Sequence, residues 1–163
     1  MERTDRRNLL LSGVDVTVIG HGGTTIDRLR SRLPYNRVQN ADVVYLHVGE
    51  NDYERKSPED AALDIMRLAV DLVYVHRVRT VTIGELAKFP VHQSNWCILV
   101  NRCLRRLVAE RPGHRIRLWR QRRALYSRPS SLFARDGVHV DRRHMHAYFN
   151  TVRFAVMSAV RHQ

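Results

Sequence analysis

Cysteine, lysine and long apolar runs are all scarce in this 163-residue chain, and each shortage excludes something. The two cysteines, Cys97 and Cys103, fall in one helical pattern. Six residues turn ~600° around a helix, so the two thiols point to different faces and do not pair with each other. Two reduced, mostly buried thiols in an intracellular protein are the expectation. No apolar run approaches the ~18 residues that a membrane span needs. The N-terminus is charged as far as Asn8, and only Leu9-Leu10-Leu11 follows. That run is too short for the apolar part of a signal peptide, so secretion is not indicated. Internal repeats and low-complexity tracts are also missing.

What is present is an ordinary globular balance, with 44% hydrophobic and 27% charged residues. The length fits one domain with a sizeable core. The net charge is +12 and nearly all the basic residues are arginine, the lysines being Lys56 and Lys88. Such a surface permits attraction to nucleic acid. The arginines are spread along the chain, which reads first as a solvated surface. The densest group is Arg115, Arg117, Arg120, Arg122, Arg123 and Arg128, with Trp119 and Tyr126 among them as stacking candidates. Nothing in the sequence fixes the oligomeric state.

Strand and helix patterns alternate. Residues 14–19 are β-branched and apolar, the pattern of a buried strand. Gly20-His21-Gly22-Gly23 follows, then Thr24 and Thr25, which can cap a helix reaching about Leu33, stopped by Pro34. Residues 42–48 form the next strand. Ser57-Pro58-Glu59-Asp60 is a strong helix start, and apolar residues recur behind it at helical spacing as far as Val73. Residues 80–83 form a short strand and 84–93 a loop. A helix over 94–111 ends at Pro112-Gly113, and 115–119 is another strand. A long loop then leads to a last helix over about 143–160. This order implies parallel pairing in a layered α/β fold, with the ligand site at the carboxyl ends of the strands.

Three segments fall at such ends: the glycine turn after Ile19, the turn Gly49-Glu50-Asn51-Asp52, and the loop Asp136-Gly137-Val138-His139. Their residues suit acyl-ester hydrolysis. His139 can act as a base, and Asp136 is close enough to fix its tautomer. Asn51 can aim an amide at a developing oxyanion, and a glycine N–H can approach the same point. His144 and His146 lie two apart on a helix and share no face, and no cysteine or carboxylate completes a ligand set with His139. No metal and no cofactor is expected. Ser130 and Ser131 read as loop-shaping residues.

In these blocks the chain resembles the SGNH (GDSL-type) hydrolases over nearly all its length. The resemblance implies a three-layer α/β/α sandwich with a mostly parallel, flavodoxin-like sheet. It also implies a Ser-His-Asp mechanism on a small ester substrate. Asn51 is similar to the family's oxyanion asparagine, and Gly22 to its oxyanion glycine, with Gly20 and Gly23 as alternative alignments. Asp136 and His139 resemble its Asp-x-x-His. Gly23, His21 and Asp52 are the expected substrate-binding neighbours. The family's serine block, Gly-Asp-Ser after a first strand, has no counterpart before Gly20. Ser12 is the one upstream serine, and it reads as a turn residue. The expectation is a domain that lacks its first strand and nucleophile and is inactive as given. The competing readings are a catalytically silent domain binding a ligand or partner, and a basic nucleic-acid-associated module of the kind found in some retrotransposon proteins.

Overall fold

The computed structural model describes residues 9, 11, 13–33, 38–87, 94–111, 113–120, 133–135 and 140–161. Their elements run α1 (Ile26–Arg32), β1 (Val43–Leu46), α2 (Pro58–Tyr74), β2 (Thr80–Gly84), α3 (Ser94–Ala109), β3 (Ile116–Trp119) and α4 (Met145–Arg161). Short 3-10 turns at Glu50–Asp52 and Arg142–His144 lead out of β1 and into α4. The strands pair in parallel in the order β1-β2-β3, with Val43 opposite Thr80 and Val81 opposite Ile116.

Central β2 is buried at every position, as expected for a parallel strand covered on both faces. Helix α2 starts where its sequence says. Ser57 caps it by accepting from the Asp60 N–H at 3.1 Å, and Pro58 takes the first turn. Its buried stripe includes Ala62, Ile65, Leu68, Ala69, Leu72 and Val73. That stripe packs with Leu46 of β1 and Val48 just beyond it, Val81 and Ile83 from β2, and Val100 and Leu104 from α3. Helix α4 packs on the other side of β1 and β2. The result is a three-layer α/β/α sandwich with a parallel sheet, as the sequence implied.

One expected element differs. Residues 14–19 belong to no strand of the described sheet. Val18 is 70% exposed and Ile19 40%. Their β-branched side chains carry strand propensity, but propensity makes a strand only where a neighbouring strand and a covered face exist. Here a cavity, not a ladder, separates this segment from β1. Smaller shifts occur elsewhere. Gly84 ends β2 instead of opening the next loop, and the last helix begins behind a 3-10 turn capped by Asp141. Cys97 is buried, Cys103 is half-buried, and both are free thiols. Among the described residues no helix is long and apolar enough to cross a membrane.

The chain leaving β2 is pinned by a buried side chain. Asn101 accepts from the Leu86 N–H at 2.8 Å and donates to the Leu86 carbonyl at 3.0 Å. Removing both partners from buried backbone groups costs the desolvation of each. Asn101→Ala is expected to lower stability by about 2 kcal/mol in urea unfolding. A loss near zero would show that this segment is held by its apolar contacts instead.

Candidate functional site

The site is built at the carboxyl end of β1. Gly49 sits at φ +129°, and a Cβ there would lie 3.0 Å from Ile65 Cδ1. Only glycine meets both conditions, and it lets the chain turn sharply into Glu50, Asn51 and Asp52. The Asn51 side chain is exposed and donates from Nδ2 to the Thr24 carbonyl at 3.0 Å. The turn after β1 is thereby tied to the segment that follows the glycines. An amide carries two N–H donors, so one remains for a ligand oxygen.

Asp52 is fully buried, and its carboxylate accepts from the Ile26 N–H at the start of α1, 3.0 Å away. Burial pushes its pKa up, against the opposing pull of that hydrogen bond and of Lys56. Its carboxylate therefore holds α1 to the turn and does not face outward. Thr25 caps the same helix by accepting from the Arg28 N–H. Lys56, next along, bridges Asp64 at 2.7 Å and Asp27 at 3.0 Å. His21, Gly22 and Gly23 are exposed, and Gly23 adopts φ +63°. A Cβ at Gly22 would meet nothing within 4 Å, so a ligand can approach its backbone.

Asp136 and His139 lie outside the described residues, as do Ser12, Ser130 and Ser131. Their flanks are described. Phe133 and Val140 form an antiparallel bridge, and Phe133 is buried in the core. Helix α4, which follows, carries Tyr148 to the side of β1. Of the arginine-rich group, Arg115 is turned onto the protein itself. It donates to the carbonyls of Val78 at 2.9 Å and Arg79 at 3.2 Å, and lies over the Tyr74 ring. Arg120 is exposed, and Arg122, Arg123 and Tyr126 lie outside the described residues with Arg128.

Sequence reasoning passed over one constellation. His47 Nε2 lies 2.8 Å from Glu50 Oε1, and His47 Nδ1 lies 2.8 Å from the Tyr148 hydroxyl. Burial alone would lower the His47 pKa, but the facing Glu50 carboxylate outweighs it and the net shift is upward. Burial would likewise raise Glu50, and His47 reverses that to a net lowering. Both shifts favour a charged imidazolium–carboxylate pair. Burial, then the Glu50 charge, push the Tyr148 phenol up and the Cys97 thiol up to about 12, so both stay neutral. The pair ties the Asn51 turn to α4. The one sequence signal was a histidine in an otherwise apolar strand, three residues ahead of a glutamate. Tyr148 is 101 residues away in sequence from His47 and carried no local signal.

A cavity of about 930 Å³ lies along β1, and Asn51, Glu50, His47 and Thr24 are among its lining residues. Among the described residues no group of three or more His, Cys, Asp or Glu side chains is arranged to hold a metal ion.

No family model matches the chain, and no curated protein matches it. Solved structures do. The chain is similar to a Clostridium thermocellum family 3 carbohydrate esterase, with TM-score 0.68 and 17% identity over 90% of this chain and 72% of that one. It is also similar to the lipase Lip_vut3 from a goat rumen metagenome, with TM-score 0.62 and 20% identity over 87% and 80% of the two chains. The chain thus shares its fold with these two structures.

Proposed function

We propose that this chain carries the oxyanion and base portion of an acyl-ester hydrolase site of the SGNH type. The observation that carries the reading is the Asn51–Thr24 hydrogen bond, which joins the glycine segment to the turn after β1 at the strand ends. There Asn51 Nδ2 and the Gly22 N–H would bind the oxyanion of a tetrahedral intermediate. His139 would take the nucleophile's proton and return it to the leaving alcohol, with Asp136 holding its tautomer. Gly23 and His21 would line the substrate side, while Asp52 would act on the substrate only through the turn it anchors. The mechanism calls on no metal and no organic cofactor. The esterase and lipase names of the two similar structures support a small ester substrate.

No residue of the chain matches the nucleophile, so the 163 residues by themselves are expected to hydrolyse a short-chain aryl ester no faster than the buffer. The same rate is expected of His139→Ala. A rate above buffer that disappears in His139→Ala would overturn the inactivity and uphold the site. The site itself is tested by binding. Titrating acetate into ¹⁵N-labelled protein is expected to move the Asn51 side-chain amide and the Gly22 N–H, and to move neither in Asn51→Leu. Unmoved signals in the unaltered protein would remove the oxyanion reading. What remains would be a domain of this fold that binds a partner and catalyses nothing.

A further inference from the structure

We infer that the Tyr148 hydroxyl is a ligand-binding donor of the cavity along β1, set by His47, and that the ligand it takes is an uncharged aliphatic ester. The directions of the hydrogen bonds carry the inference. Glu50 Oε1 lies 2.8 Å from His47 Nε2, and the Glu85 carbonyl also faces the ring as an acceptor. A carboxylate and a carbonyl have no proton to give, so Nε2 is the nitrogen that always carries one. The state of Nδ1 is then what changes, and Nδ1 lies 2.8 Å from Tyr148 Oη. With a proton on Nδ1, the ring donates to Oη and the phenol proton points elsewhere. With Nδ1 bare, the phenol proton turns back to it and is used up. Burial, then the Glu50 charge, keep the phenol itself neutral, so its proton is there to give. Tyr148 lines the cavity, and among the described residues His47 is the hydrogen-bond partner of its hydroxyl.

The groups around His47 leave Glu50 in charge of it. Tyr45 of β1 stands 6.2 Å away, ring to ring, and is neutral near pH 6 like any unionised phenol. The Glu85 carboxylate, beyond the end of β2, is held by Arg105 of α3 at 2.6 Å. The Cys97 thiol of α3, pushed up to about 12, carries no charge. The lining of the cavity sets the class of ligand. Among the described residues no lysine or arginine lines it, whereas Asp15, Asp42 and Glu50 do. His47 and Glu50 sum to no net charge, so an anion would be buried there without a cation of its own. A carbonyl oxygen needs only a donor. Beyond Tyr148, the face of α4 that lines the cavity continues through Val152, Val156 and Val160, four residues apart. At ~1.5 Å per residue that stripe is about 18 Å long, room for an aliphatic chain. One polar anchor on an otherwise apolar lining is how a pocket orients a small apolar ligand. The inference deepens the ester reading by adding a donor and a substrate class, and it does not need Asn51 to bind the oxyanion.

The probe is methyl hexanoate, titrated into the full chain carrying ¹⁵N-labelled histidine, from about pH 6 upward. The ester is expected to bind best while His47 Nδ1 is protonated, and about fivefold more weakly once pH has risen through the folded-state His47 value, the worth of one hydrogen bond. By reciprocity, saturating ester raises the pH at which the His47 Nδ1 signal titrates. Tyr148→Phe keeps the ring and its packing and removes the donor. It is expected to bind the ester about fivefold more weakly near pH 6, with no further loss at higher pH and no movement of the His47 titration by the ester. A phenylalanine variant that matches the unaltered protein in affinity and in pH profile would make Tyr148 a brace between α4 and β1, and would overturn the inference. An ester that does not bind at any pH would overturn it as well. So would the hexanoate ion binding as tightly as its ester, because the lining would then accept charge. Asn51→Leu is expected to retain the Tyr148-dependent binding. The oxyanion site is read from the Asn51 amide and the Gly22 N–H with acetate, so the two fail or hold separately.

Discussion

His47→Leu is expected to destabilise the protein by about 4 kcal/mol near pH 6. The imidazole and the Glu50 carboxylate are 17% and 18% exposed, so solvent screens the pair only weakly. Leucine keeps the volume but leaves Glu50 without its partner, and a buried, unpaired carboxylate is among the costliest single defects. The Tyr148 hydroxyl loses its acceptor or donor in the same step. The double variant His47→Leu/Glu50→Leu should recover most of the loss, because removing both charges removes the desolvation cost along with the attraction. Urea unfolding of the three proteins decides the matter. A double variant as weak as the single one would show that packing, and not the ion pair, had been lost.

The pH dependence has a definite sign. The His47 pKa is raised in the folded state, so its contribution is complete below the ordinary value of 6.5 and is lost as pH rises through the folded value. The Glu50 pKa is lowered, so its contribution is complete above 4.5 and is lost as pH falls through the folded value. Together they give a maximum of stability between about pH 4.5 and 6.5. In His47→Leu that maximum disappears. Glu50 is then governed by burial, its pKa rises, and the variant gains on the unaltered protein as pH falls. Unfolding free energies measured from pH 4 to 8 should converge toward the acid end in this way. Parallel curves would mean that the pair does not titrate with folding.

Gly49→Ala carries the second large effect, a loss of about 3 kcal/mol. At φ +129° a side chain is strained whatever the space around it, and the space is already taken. The new methyl would press on Ile65 Cδ1 at 3.0 Å and on Leu86 at 3.4 and 3.5 Å. Both neighbours are fully buried core residues, so neither yields cheaply. For a chain of this size the expected drop in Tm is about 6–12 °C by calorimetry. Gly22→Ala is the control. It meets nothing within 4 Å, and its stability should change by less than about 0.5 kcal/mol. Equal effects at the two glycines would remove the geometric account of the turn.

These predictions fall on residues that the sequence marked unequally. Gly49 and Asn51 were legible because a Gly-x-Asn-Asp turn after an apolar strand is a local pattern, and local patterns survive without knowledge of the fold. Ser57 and Pro58 were legible for the same reason, since a helix start needs only four or five consecutive residues. The alternation of strands and helices was enough to require a layered parallel sheet. The motif marks Asp52 as a neighbour of the site, and the fold buries it under the start of α1, which no local pattern shows. The His47–Glu50–Tyr148 constellation was not legible. Its third member comes from the far end of the chain, and only the packing of α4 against β1 brings it there.

By itself, then, the sequence determined the elements whose causes are local: the caps, the glycine turns, the apolar stripes and the parallel order of the sheet. Tertiary structure decided what each element meets. It left residues 14–19 outside the sheet, because a strand exists only beside another strand. It also turned the histidine ahead of the Gly49 turn and the glutamate within it into a buried charged pair. Burial and opposite charge act through space, and the third member, Tyr148, comes from 101 residues away in the sequence.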